Sequence, residues 1–224
     1  MGFNVSYLAT RLSAAELASN YRLELGPPEP EVPSSAKPFI AELSNGWTIW
    51  WSQEPDSFQL NKINPHLGCK QGQHCYVVSV SEFCMHSSIA KYTPISKRWS
   101  VAHHGDGNDP VHLKITGQPP KIFSEIRDEV LQRQRNQIVD AVKVDAVPDE
   151  LKAIAERIGG SVKPWGSSSV DYAFDIPMLL GRHFFNFIYG QLPEKGTILQ
   201  CYEVLENTSA SPGKRSFRQR IFGR

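Results

Sequence analysis

Imidazoles, carboxylates and a thiol gather in one stretch of the chain: Cys84, His86, His103, His104, Asp106, Asp109 and His112. Cys84-x-His86 would set two ligand atoms on one face of a strand. His103 from a neighbouring strand could add a third and leave a position open for water. Such a set would serve a metal-dependent or hydrolytic enzyme working through His86, His103 and His104. The spacings argue otherwise. With His66, Cys69, His74 and Cys75 included, the ligand-capable residues form none of the short Cys-x₂₋₄-Cys or His-x₃₋₅-His knuckles of structural zinc sites. Gly105-Asp-Gly-Asn-Asp109 opens like a calcium loop but lacks the later glycine and the bidentate glutamate. The same residue types are what a hairpin turn requires. No Gly-x-Ser-x-Gly elbow, Gly-x-Gly-x-x-Gly loop or Walker lysine occurs. No catalytic, cofactor-binding or metal-ligating residue is therefore assigned, and no cofactor is expected.

The elements that would carry these residues are mostly strands. Alternating apolar positions predict strands at Cys75–Ser81, Phe83–Ala90, Arg98–His104 and Val111–Thr116, joined by short turns into an antiparallel meander. Asn45-Gly46 between Phe39–Leu43 and Trp47–Trp51 predicts a further hairpin. Trp50 and Trp51 must then point to opposite faces, which leaves one of them on an exposed or partner-covered face. Ser13-x-x-Glu16 is a capping box ahead of a helix over Ala14–Leu23, and the five prolines of Pro27–Pro38 argue for an extended connector. After Gly117-Gln-Pro-Pro120 the apolar period changes to helical from Lys121, with a second helix near Asp149–Ile158. Val170–Phe174 reads as a strand entering a short helix capped by Asp175 with Pro177 in its first turn. Thr197–Leu205 reads as the last strand. The fold class expected is α+β, a mostly antiparallel sheet packed by helices on one face.

Composition sets the remaining bounds. The 224 residues are 40% hydrophobic and 21% charged, enough for one sizeable core. No apolar run approaches a membrane span, and the N-terminus has neither a basic start nor a long apolar segment, so a cytoplasmic protein is expected. The four cysteines form no CxxC pair and read as reduced residues. Residues 212–224 hold five bases and no acid, which leaves the rest of the chain at −4 against +1 for the whole. A single α+β domain over 1–211 with a flexible basic tail over 212–224 follows. Lys214, Arg215, Arg218 and Arg220 could contact nucleic acid, but no aromatic stacking platform accompanies them, so a nucleic-acid partner is not expected.

Three segments carry a family resemblance: Val80-Ser-Glu-Phe-Cys-Met-His-Ser-Ser88, Arg98-Trp-Ser-Val-Ala-His-His104 and Val170-Asp-Tyr-Ala-Phe-Asp-Ile-Pro177. Together they resemble small bacterial cytoplasmic proteins similar to the immunity proteins encoded beside polymorphic toxins. The resemblance implies a protein that neutralises a cognate toxin domain by stoichiometric binding, with no catalytic residues. The acidic body would suit a basic toxin surface.

Overall fold

A computed structural model describes residues 4–30, 37–54, 57–59, 62–105, 113–140, 172–187 and 197–205; beyond 134 in the second helix it describes backbone only. Asp106, Asp109, His112, the helix expected near 149–158 and the tail 212–224 lie outside these residues.

Nine strands form one antiparallel sheet: β1 (Asn4–Thr10), β2 (Glu24–Glu29), β3 (Phe39–Leu43), β4 (Thr48–Ser52), β5 (Cys75–Ser81), β6 (His86–Tyr92), β7 (Lys97–His104), β8 (Leu113–Gly117) and β9 (Ile198–Leu205). Their spatial order is β2-β9-β3-β4-β1-β5-β6-β7-β8. The half from β5 to β8 is the expected meander, and β3–β4 is the expected hairpin. Among the described residues the helices are α1 (Ala14–Tyr21), α2 (Ile122–Asp140) and α3 (Ile176–Phe185).

Two strands and one turn differ from the sequence reading. β1, read only as an N-terminus, is a central strand between β4 and β5. It is covered on both faces, so Val5–Thr10 are all buried and show no polar alternation. The hydroxyls of Ser6 and Thr10 are satisfied by the carbonyls of Glu54 and Gly68 at 2.5 Å each. β2 uses the first prolines of the supposed connector: at the sheet edge Pro27 and Pro28 fall at a register shift, where no ladder hydrogen bond is required of them. Within the segment read as a strand at Val170–Phe174, Tyr172–Asp175 is a single 3-10 turn. It leads straight into α3, so its backbone never reaches a sheet edge. Asp175 does occupy the N-cap position, but its side chain makes no capping hydrogen bond. The helix runs past Gly181 to Phe185 and ends at Asn186 in the left-handed conformation.

The sheet separates two cores. On one face Val5, Tyr7, Ala9, Ile49, Val78, Ile89 and Val101 meet Phe123 and Val130 of α2 and Ile176, Met178, Leu180 and Phe185 of α3. On the other, Leu8, Ile40, Trp50, Cys75 and Val77 meet Ala14 and Leu17 of α1 and Phe58. The two longer helices thus share one face, and the short α1, held by its Ser13–Glu16 capping box, closes the other. This second cover corrects the reading of the tryptophan pair. Trp50 and Trp51 do point to opposite faces, yet both are covered: Trp50 lies against Tyr21 and Phe58, and Trp51 stacks between Tyr7 and Phe39.

Candidate functional site

Four strands bring one row of side chains into register across the covered face: Tyr76 of β5 opposite Lys91 of β6, Lys91 opposite Trp99 of β7, and Trp99 opposite Gly117 of β8. Directly opposed residues share a face, so Lys91 stands where the core pattern calls for an apolar side chain. Its ammonium lies 5.9 Å from the centroid of the Tyr76 ring. α3 closes the row from above: Phe184 stacks on Tyr76 at 4.7 Å and lies 6.1 Å from Trp99. Just beyond Lys91 the β6–β7 register shifts, a bulge that re-aims the strand end.

Lys91, Trp99 and Gly117 of this row line a cleft of about 1090 Å³ at the end of the sheet. Lys91, Lys97, Arg98 and His74 line it together with Gln73, Thr93, Ser96 and Gln118, and among the described residues no carboxylate does. Arg11 extends the positive side, its guanidinium 4.1 Å above the Trp47 ring that neighbours His74. Among the described residues, Arg11, Lys91, Lys97 and Arg98 have no acidic partner; the ion pairs present are Lys37–Glu203, Lys62–Glu54, Lys70–Glu16, Arg127–Asp128 and Arg133–Glu129.

The cations bear on one another. Partial burial pushes the Lys91 ammonium below its ordinary range, and Arg98 adds to the shift. His74 is lowered by burial first, then by Lys91 and Arg11. Positive charge held together without counter-charge is an arrangement that an incoming anion relieves. Gln73 Oε1 is buried at the same wall without a hydrogen-bond partner, so a donor on a ligand would also be met.

The histidine cluster does not hold together. His103 is fully buried, pairs in register with Ser87 and lies on the α2–α3 face with Trp99 and Val101. His104 is exposed on the opposite face, opposite His86, with the two Nδ1 atoms 3.1 Å apart. The three therefore cannot act on one ion. Among the described residues no group of three or more His, Cys, Asp or Glu side chains could hold a metal. Cys84 is exposed in the β5–β6 turn, its thiol 3.0 Å from Ser81 Oγ. Cys69 and Cys75 interact: a hydrogen bond from Cys75 holds the Cys69 thiol below its ordinary value, and the same bond together with burial raises Cys75.

The cleft cations were missed by motif reasoning because none belongs to a motif. One signal was present: Ser87, Ile89 and Lys91 share a strand face, so a lysine breaks the apolar alternation two residues beyond the core isoleucine, and Lys97-Arg98 then precedes Trp99. No helix of the described residues is long and apolar enough to cross a membrane. Comparison with protein-family models, curated proteins and solved structures found no match.

Proposed function

We propose that this chain is a non-enzymatic binding protein of the immunity type, which neutralises a toxic protein domain by stoichiometric occupation, and that its working surface is the cationic cleft at the end of the sheet. The observation that carries this reading is the lining itself: Lys91, Lys97, Arg98 and His74 converge, with no carboxylate among the described lining residues. Stability is better served by an apolar residue than by a lysine between Tyr76 and Trp99, and charge kept at such a cost marks a functional surface. The sign of the charge assigns the partner's contribution. The acidic balance of the chain had pointed to a basic toxin surface, whereas this cleft suits an acidic loop. Ile95, 91% exposed at the rim, offers that loop an apolar contact.

A nucleic-acid ligand is the weaker fit. Trp99 and Tyr76 are 5% and 3% exposed and packed against Phe184, so neither ring is open for a base to stack on.

The test is co-expression with the toxic domain encoded by the neighbouring gene. The wild-type chain is expected to rescue growth, and the variant K91Q/K97Q/R98Q, expressed at the same level and folded, is expected to fail. Equal rescue by both would remove the cleft from the function, and no rescue by the wild type would remove the immunity reading. Salt-sensitive binding of a single-stranded DNA oligonucleotide through the same three residues would replace the acidic protein partner with nucleic acid.

A further inference from the structure

His86 opens β6 and His104 closes β7, at the opposite end of these strands from the cleft. They are directly opposed in register and lie on the face away from α2 and α3. Their Nδ1 atoms are 3.1 Å apart, their ring centroids 4.3 Å apart, and their planes inclined by 36°. A head-on N–H···N hydrogen bond would hold the ring centres about 5 Å apart. The shorter centroid distance shows that the two rings do not meet head-on across this contact.

We propose that His86 and His104 form a two-imidazole site for a borderline divalent cation of the zinc, nickel or copper class. With metal–nitrogen bonds of roughly 2.0–2.1 Å, two ligand nitrogens on one ion stand about 2.9–3.4 Å apart, from right-angled to tetrahedral geometry. The observed 3.1 Å falls inside that interval. Two neutral rings that carry their protons on Nε2 present both Nδ1 lone pairs, and imidazole nitrogen is the ligand this class of ion favours. The remaining coordination positions would be filled by water or by another ligand group.

The backbone fixes the spacing. The Gly105 amide donates to the Met85 carbonyl at 2.9 Å, which ties together the residues that flank the two histidines. A Cβ on Gly105 would fall 2.3 Å from the Cβ of Met85, so only glycine lets these chain segments approach so closely. The pair is thus held by the sheet and by this contact before any ion arrives.

The site is independent of the cleft, and the two can fail separately. Calorimetric titration of the full chain with zinc sulfate is expected to show one equivalent bound, with millimolar magnesium unable to compete because that ion prefers oxygen ligands. His86→Ala and His104→Ala should each weaken zinc binding by about tenfold or more, and the double variant should lose it. His183→Ala, an exposed histidine on α3, should leave it unchanged. In the wild type and not in the double variant, zinc should also raise the unfolding temperature, by preferential binding to the folded chain. Zinc binding by the double variant at wild-type affinity, or no zinc binding by the wild type, would overturn the proposal.

Discussion

The Lys91 ammonium stands over the Tyr76 ring, 5.9 Å from its centroid, in a row that continues to Trp99 on the next strand. A lysine in this position works against folding, and under the proposed function it is kept for binding. Replacing it with methionine keeps the length of the side chain and removes the charge. Lys91→Met is expected to raise the thermal midpoint while weakening the acidic partner; the two opposed readouts come from a melting curve and a titration of the same preparation. A fall in both would mean that the lysine is held by contacts other than those described.

His74 should leave its mark on the pH dependence of stability. Burial, Lys91 and Arg11 set its folded pKa below the ordinary 6.5. Between the two values the unfolded chain binds the proton more readily, so the folded state is penalised as acid is added. The contribution is complete above pH 6.5 and is lost as the pH falls from there through the folded value. Urea titrations across that window should show stability falling toward acid, and His74→Gln should flatten this part of the curve.

Gly117 fixes the cleft from the β8 side. Its φ of +71° is a conformation that side chains disfavour, and a Cβ there would lie 2.3 Å from the Arg98 carbonyl oxygen. Gly117→Ala should cost about 1–3 kcal/mol in denaturant unfolding, and it should also weaken partner binding because Arg98 must move. Wild-type stability in this variant would show that β8 can shift without cost.

Tyr7 is fully buried, and its hydroxyl has no hydrogen-bond partner. Burial raises the phenol well above its ordinary range, as expected for a group denied solvent. Tyr7→Phe keeps the ring contacts with Trp51, Phe185 and Phe187 and removes the unsatisfied polar atom. Chemical denaturation should find the variant as stable as the wild type or more stable, by up to about 1 kcal/mol.

The legible parts of the fold were those governed by local chemistry. Asn45-Gly46 marked a hairpin, Ser13 and Glu16 marked a helix start, and the alternation from Cys75 to Ser81 marked a strand to the residue. Long-range pairing was not legible. Nothing local in Asn4–Thr10 tells that it lies between β4 and β5, nor that Ile198–Leu205 inserts between β2 and β3. The histidines drew attention because they are close in sequence, yet strand alternation sends His103 and His104 to opposite faces. The cleft escaped for the converse reason. Arg11, His74 and the Lys91–Arg98 hairpin are separated in the chain and come together only once the strand ends are aligned.

The cleft is tested most directly by calorimetric titration of the neighbouring gene's toxic domain into the wild-type chain and into K91Q/K97Q/R98Q at low and high salt. A one-to-one complex is expected with the wild type, weaker at high salt, and weakened by about tenfold or more in the variant. Equal affinity of the two chains, independent of salt, would contradict a cationic cleft that grips an acidic partner.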